Sequence, residues 1–486
     1  MSALDAVVVG SGPNGLAAAV TLARAGLDVL VLEQQAVAGG GARTLDLGIA
    51  PGVVHDVCSA VHPLAVVSPF LRAFDLPARG VELLQPEVAY AQPLDGGRAA
   101  LAYPDLDRTC DGLGRDGDAW RSLVGPLAAR ALGVVDVALG DHRRPPRDLG
   151  AAAAFVWRML EQSGPSGALR FREELAPALL AGVAAHPIVS LPSLAGAGTA
   201  LLLAALAHAG GWPLPRGGSG AISDALLADL RAYGGRVQTG VPVRRWTDLP
   251  TARAVLFDTS PRTLLEVAGD RLPDRVRRAL EAWHPASGAA AKVDFVLSGP
   301  VPWAHDGVGA AGTVHLGGTH AQVRAAEAEV AAGRHADRPV VLTAQPAVVD
   351  ASRVTAAGLR PFWAYAHVPV GSTVDVTETV TAQVERFAPG FRDVVVASRC
   401  VPAARMAEHD ANLVGGDISA GPVSMPWMLA RPRAAWDPYA VGERGIWLCS
   451  AAAPPGPGVH GMSGWHAARR VLDRDFGMPR GPSLRP

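Results

Sequence analysis

The segment Asp5–Glu33, DAVVVGSGPNGLAAAVTLARAGLDVLVLE, constrains the fold more than any other stretch of the chain. Residues 5–9 read as an apolar strand, and Gly10-Ser11-Gly12-Pro13-Asn14-Gly15 is a G-x-G-x-x-G turn. Asn14 to Ala25 has helical character, Gly26 stands where a helix-terminating glycine belongs, and Val29–Leu32 is a second strand ending in the acidic Glu33. Each part has a mechanical reason to be there. The glycines let backbone approach a pyrophosphate, the helix N-terminus turns free N–H groups toward its charge, and a carboxylate at the end of the second strand accepts hydrogen bonds from a ribose. With all parts present in one β-turn-α-β unit, the segment predicts a dinucleotide site at Gly10, Ser11, Gly12, Pro13, Asn14, Gly15 and Glu33.

A chain of 486 residues has room for two or three folding units. Its net charge of −1 and the absence of a basic stripe argue against a nucleic-acid partner. The four cysteines, Cys58, Cys110, Cys400 and Cys449, form no C-x-x-C pair, so neither a disulfide framework nor a metal site is expected. The N-terminus runs into a strand without a basic leader, so a cytoplasmic location is expected. The longest apolar run, GTALLLAALAHAGG at 198–211, is shorter than the 20 or so residues a bilayer requires. It reads as a buried helix, with a peripheral membrane contact as the alternative.

Later segments alternate between helical and extended patterns. Residues 104–150 read as loops with short helices, 151–211 as Ala- and Leu-rich helices, and 212–246 as loop, amphipathic helix and strand. RAVLFDTSP (253–261) is a further strand, and 291–297, GTVHLGG, VVLTAQP and FWAYAHVP are four more. Their mixed patterns predict an antiparallel sheet with one covered face. The chain closes with the strand GIWLCSA, the loop PPGPG and the helix VHGMSGWHAARRVL.

Three separated segments, 7–44, 215–243 and 445–472, together resemble the FAD-binding parts of the phytoene desaturase-like flavoproteins, relatives of the amine oxidases. The resemblance implies an α/β architecture: a discontinuous, glutathione-reductase-type Rossmann-like FAD domain from 1–70, 212–283 and 420–486, and a mixed-sheet substrate domain with a helical cap from 71–211 and 284–419. It also implies FAD contacts from Gly39, Gly40 and Arg43 along the pyrophosphate, and from Val243, or Val241, at the adenine. Pro457, Gly458 and Val459 would lie at the pyrimidine edge of the flavin. A helix N-terminus there has an independent rationale, because reduction leaves negative charge on that edge. The implied reaction is oxidation of an apolar small molecule, either desaturation of an isoprenoid-like chain or oxidation of a hydrophobic amine or secondary metabolite. Hydride passes to flavin N5, and oxygen, a quinone or another carrier takes the electrons. Two alternatives stay open: an FAD-containing isomerase or binding partner, and an NAD(P)H-linked reductase. The latter would have to work without a second strand-linked glycine turn, since LAGAGTA (194–200) has no strand before it.

Lys292, in SGAAAKVDFVL, is the sole lysine among 44 Lys and Arg residues. Arginine serves nearly everywhere a cation is needed, and the two differ: lysine is a compact ammonium that can shed its proton, guanidinium a permanent fork. The strand resembles that of the amine oxidases, whose lysine holds a water near flavin N5, which makes Lys292 the catalytic candidate; survival of one codon by chance is the alternative. His62 is a second candidate base, set against a satisfied loop residue, and Cys58 a possible tether set against a buried thiol. His186 and His208 lie in the apolar helices, and Trp363, Tyr365 and His367 alternate onto one strand face.

Overall fold

The computed structural model describes residues 4–486. A five-stranded, all-parallel sheet is ordered Ile446–Leu448, Ala252–Phe257, Leu4–Val9, Val29–Leu32, Arg236–Gln238. Helices Pro13–Arg24, Gly220–Ala232 and Met462–Phe476 cover it, and its central strands are largely buried while the edge strand Arg236–Gln238 is mostly exposed, as a parallel sheet with both faces packed requires of its centre. The helices Pro13–Arg24 and Met462–Phe476 approach so closely that a Cβ on Gly464 would overlap the carbonyl oxygen of Asn14.

The second sheet has seven strands, ordered Val395–Val401, Gly288–Leu297, Arg360–Pro369, Val341–Ala344, Ala311–Leu316, Val88–Leu94, Arg98–Ala102. All neighbours are antiparallel except Ala311–Leu316 with Val88–Leu94. Three of these strands, Val88–Leu94, Arg98–Ala102 and Val395–Val401, were not among the expected ones. The first two lie far upstream of the rest, and the third is half exposed at the sheet edge with two central charged or polar residues. The expectation of one covered face is also corrected. Every residue of Gly288–Leu297 is buried, because both faces are packed.

The two faces differ in chemistry. One carries Val293, Phe295, Phe362, Ala364 and Val314 and packs on helix Thr377–Phe387 and on Phe391. On the other face the register lines up Asp294, Trp363, Ala344, Thr313 and Tyr90 in one row, and Lys292, Tyr365, Leu342 and His315 in the next. The apolar helices Leu175–Ala184 and Leu194–Ala209 close one half of this polar face; Ala60, Val61 and His55 close the other. The run at 198–211 is thus an interior helix. Among the described residues no single helix is long and apolar enough to cross a membrane.

Candidate cofactor and active site

The glycine turn opens at the end of the central strand, where Gly10 has φ +97°, a region in which side chains other than glycine's are strained. A Cβ on Gly10 would also lie 2.7 Å from the carbonyl oxygen of Asp258, and one on Gly40 2.7 Å from Gly12 Cα. The Glu33 carboxylate accepts from the Ser11 N–H (2.9 Å), the Ser11 hydroxyl (2.6 Å) and the Gln35 N–H (2.8 Å), and the Ser11 hydroxyl in turn accepts from the Gly39 N–H at 3.0 Å. Glu33, the turn and the Gly39–Arg43 loop therefore form one interlocked cradle. Asn14 Oδ1, buried at the helix start, has no hydrogen-bond partner among the described residues. These residues fit a dinucleotide: crowded glycines at the backbone, a carboxylate for a ribose, and an unsatisfied polar atom beside them.

The Arg43 side chain bonds the carbonyls of Gly40 (2.7 Å) and His409. Its guanidinium thus braces the Gly39–Arg43 loop. The strand after Gly234 covers only Arg236–Gln238, so Val241 and Val243 lie beyond it in irregular chain, which corrects the expected strand placement. The Val241 N–H is committed to the Glu33 carbonyl at 2.8 Å. The C-terminal helix begins at Met462, three residues later than expected, so Pro457, Gly458 and Val459 belong to the loop before it. The delay has a visible cause: Gly458 and Gly461 have φ of +134° and +68°, and His460 Nδ1 accepts the Met462 N–H at 3.0 Å, occupying a donor of the helix start.

Two carboxylates escaped the sequence reading. Asp258, at the end of the strand beside Leu4–Val9, accepts the Gly15 N–H at 2.8 Å. Burial pushes its carboxyl up to about 7, with Asp410 and Glu33 adding to the effect against the Gly15 hydrogen bond. Burial also raises Asp410, partly offset by the Asn412 N–H and Arg43. The position of Asp258 directly after an apolar strand, in LFDTSP, was a usable signal; Asp410 lies in irregular chain and carried none.

Lys292 is 3 % exposed and pairs with Asp294, which is 1 % exposed, and its ammonium stands 5.8 Å from the Trp363 ring centre. His55 Nδ1 lies 3.4 Å from Asp294. Burial pushes the Asp294 carboxyl up, but Lys292 and His55 more than offset this and leave it below its ordinary value. Cys58, whose Cβ neighbours Gly41, has a thiol raised to about 12 by burial first and Asp410 second, so it is held protonated. The Lys292 cluster and the Gly39–Arg43 loop are therefore neighbours, joined through Cys58, Asp410 and Arg43.

The other histidines sort by partner. His62 bonds Ser219 (2.7 Å) and is lowered to about 4 by burial; it locks the segment before helix Gly220–Ala232. His208 bonds the Tyr103 carbonyl (2.8 Å) and receives the Trp120 indole N–H (3.2 Å), also structural contacts. Trp363, Tyr365 and His367 do share one face, with ring centres 5.3 and 5.5 Å apart in succession. His186 pairs with His315 at 2.8 Å, and His367 with Glu327 at 2.5 Å. His315 and Glu327 were missed because a histidine in a strand and a glutamate in an Ala- and Glu-rich helix look like any other.

Comparison with known proteins agrees with this geometry. The NAD(P)-binding Rossmann-like domain family matches residues 8–74. An uncharacterized protein of Mycobacterium tuberculosis is 28 % identical, the alignment covering 96 % of this chain and 97 % of that one. Pyridine nucleotide-disulfide oxidoreductase domain-containing protein 2 of Rattus norvegicus is 26 % identical over 96 % of this chain and 93 % of its own length. Among solved structures, cyclohexylamine oxidase from Brevibacterium oxydans superposes with a TM-score of 0.58 at 16 % identity, covering 99 % of this chain and all of that one. Residues 8–74 thus match the NAD(P)-binding Rossmann-like domain family, and the chain has the α/β fold of cyclohexylamine oxidase.

Proposed function

We propose that this protein is an FAD-dependent oxidoreductase that takes hydride from an apolar organic molecule. The observation that carries the reading is the meeting, at one place, of the dinucleotide cradle of Ser11, Glu33 and Gly39 with the buried Lys292–Asp294 pair on the polar sheet face. In this reading Glu33 holds the adenosine ribose, the Gly10–Gly15 turn and the Gly39–Arg43 loop take the pyrophosphate, and the Pro457–Val459 loop meets the flavin edge. Bound FAD would supply the hydride acceptor. With FAD bound, Lys292, paired with Asp294, would hold a water and supply a positive charge to the reaction, and the apolar cap helices would exclude bulk solvent. The fold shared with an amine oxidase and the match to a dinucleotide-binding family support this reading.

The test has two stages. Denaturing the purified protein should release FAD; release of FMN or NAD(P), or failure to take up FAD, overturns the proposal. Anaerobic titration with apolar alkenes, amines and alcohols should then bleach the flavin. Bleaching by NAD(P)H alone would make the protein a reductase, and a flavin bleached by nothing would point to a non-redox role.

A further inference from the structure

Two polar pairs stand on the polar sheet face beyond the Lys292 cluster. His367 Nδ1 lies 2.5 Å from Glu327 Oε1, and both residues are buried, at 1 % and 0 % exposure. Among the described residues, the carboxylate oxygen Glu327 Oε2 and the imidazole nitrogen His367 Nε2 have no hydrogen-bond partner. A carboxylate accepting from Nδ1–H fixes the imidazole tautomer that leaves Nε2 as a bare acceptor. Isolated in the interior, such an acceptor is costly unless something donates to it. His367 stands opposite Ala290, and Tyr365 opposite Lys292. His367 is therefore the diagonal neighbour of Lys292, roughly 7–8 Å away between backbones. The groups facing it are Glu327 from helix His320–Ala331, the stacked ring of Tyr365, and the His186–His315 pair. Burial lowers His186 to about 3 and His315 well below its ordinary value, so neither supplies a competing cation.

Resting on the flavin-oxidation reading, we propose that Glu327 and His367 form a carboxylate–imidazole base for an apolar substrate bearing a hydroxyl group. The substrate O–H donates to His367 Nε2. As its O–H bond breaks, the proton passes to Nε2, and Glu327 stabilises the imidazolium. The hydrogen on the carbinol carbon leaves with its electron pair to the oxidised flavin, so C–O becomes C=O and two electrons leave the substrate. Lys292 stands one diagonal step away on the same sheet face. A hydroxyl group satisfies the bare acceptor without bringing a further charge into the interior.

Geraniol and limonene test this as a pair, because both are apolar isoprenoids and only geraniol carries a hydroxyl. In the FAD-loaded protein with labelled histidine, geraniol should shift the His367 ring resonances, identified by their loss in His367→Gln, and limonene should not. Geraniol, or cyclohexanol in its place, should bleach the flavin anaerobically at a rate that rises with pH to a plateau. His367→Gln should remove that pH dependence and slow bleaching by about 10²–10⁴-fold. Glu327→Gln should slow it at least about tenfold while unfolding temperature holds, which keeps the test usable should His367→Gln not fold. Alcohol bleaching with an unchanged pH profile in both variants overturns the base alone. Bleaching by limonene or cyclohexylamine but by no alcohol overturns the hydroxyl assignment, and no bleaching by any donor overturns the oxidation reading together with the base.

Discussion

Lys292 cannot be judged apart from Asp294. The two are buried within the same strand face, and among the described residues His55 is the other titratable group in contact with the carboxylate. Replacing Lys292 by methionine leaves the buried Asp294 carboxylate with His55 but without its ammonium partner, and breaking a buried pair in this way typically costs about 3–5 kcal/mol. The expected outcome is that Lys292→Met lowers stability by an amount of that order, and that Lys292→Met with Asp294→Asn recovers most of it. If the lysine also acts at the flavin, the recovered double variant should still slow reduction or reoxidation by about tenfold or more, or 1.4 kcal/mol of barrier. Stopped-flow traces of both half-reactions check this. A double variant with wild-type rates would leave Lys292 a purely structural partner of Asp294.

Asp258 permits a second residue-scale prediction with a defined sign. Its folded-state pKa is raised to about 7, above the unfolded value near 3.9. A raised carboxyl carries no penalty below about pH 4. The penalty grows between pH 4 and 7 as folded protein must either hold the proton or bury a charge, and stays constant above. Asparagine keeps an acceptor for the Gly15 N–H and removes the charge. Asp258→Asn should therefore stabilise the FAD-free protein at pH 8 by about 2–4 kcal/mol, with the gain shrinking toward zero near pH 4. Urea denaturation at several pH values measures it, and a pH-independent difference would assign the effect to packing.

At the scale of elements, the contact between helices Pro13–Arg24 and Met462–Phe476 is the tightest constraint on the cofactor cradle. It joins the glycine turn to the C-terminal segment that, in the proposed function, would meet the flavin. Gly464 makes the approach possible, since a Cβ there would overlap the Asn14 carbonyl oxygen. Forced overpacking of this kind costs about 1–3 kcal/mol. Gly464→Ala is expected to lower stability by at least that amount and to weaken FAD binding, because separating the helices moves Asn14. Gly26→Ala serves as the control: its φ is +85° but nothing lies near its Cβ, so it should strain one turn without touching FAD affinity. Equal losses of affinity in the two variants would remove the helix contact from the site.

For the whole molecule, the cradle draws on chain from both ends and the middle, so ligand binding and global stability are linked. FAD at about one hundred times its dissociation constant should stabilise the protein by roughly 2.7 kcal/mol, visible as a rise in unfolding temperature. Glu33→Gln should reduce that rise by weakening FAD at least about tenfold, while Lys292→Arg should leave it nearly intact. Equal shifts from FAD and from NAD would speak for a site that recognises only adenosine diphosphate.

The β-turn-α-β unit was legible in sequence because its rules are local: a strand, a glycine turn, a helix and an acidic strand end follow one another within Asp5–Glu33, and each is dictated by backbone sterics and hydrogen bonding over a few residues. The buried apolar helix at 198–211 and the shared face of Trp363, Tyr365 and His367 were legible for the same reason, since an unbroken apolar run and the two-residue alternation of a strand are both properties of adjacent residues. Tertiary structure decided what depends on partners distant along the chain. The pairing of Val88–Leu94 with Ala311–Leu316 bridges more than 200 residues of sequence by register, not by any motif. The acidity of Asp258 follows from burial beside Asp410 and Glu33, and the Glu327–His367 dyad exists because a helix packs its one fully buried carboxylate against a strand. Burial and long-range register set the chemistry of these side chains, and neither is a property of the residues near them in sequence.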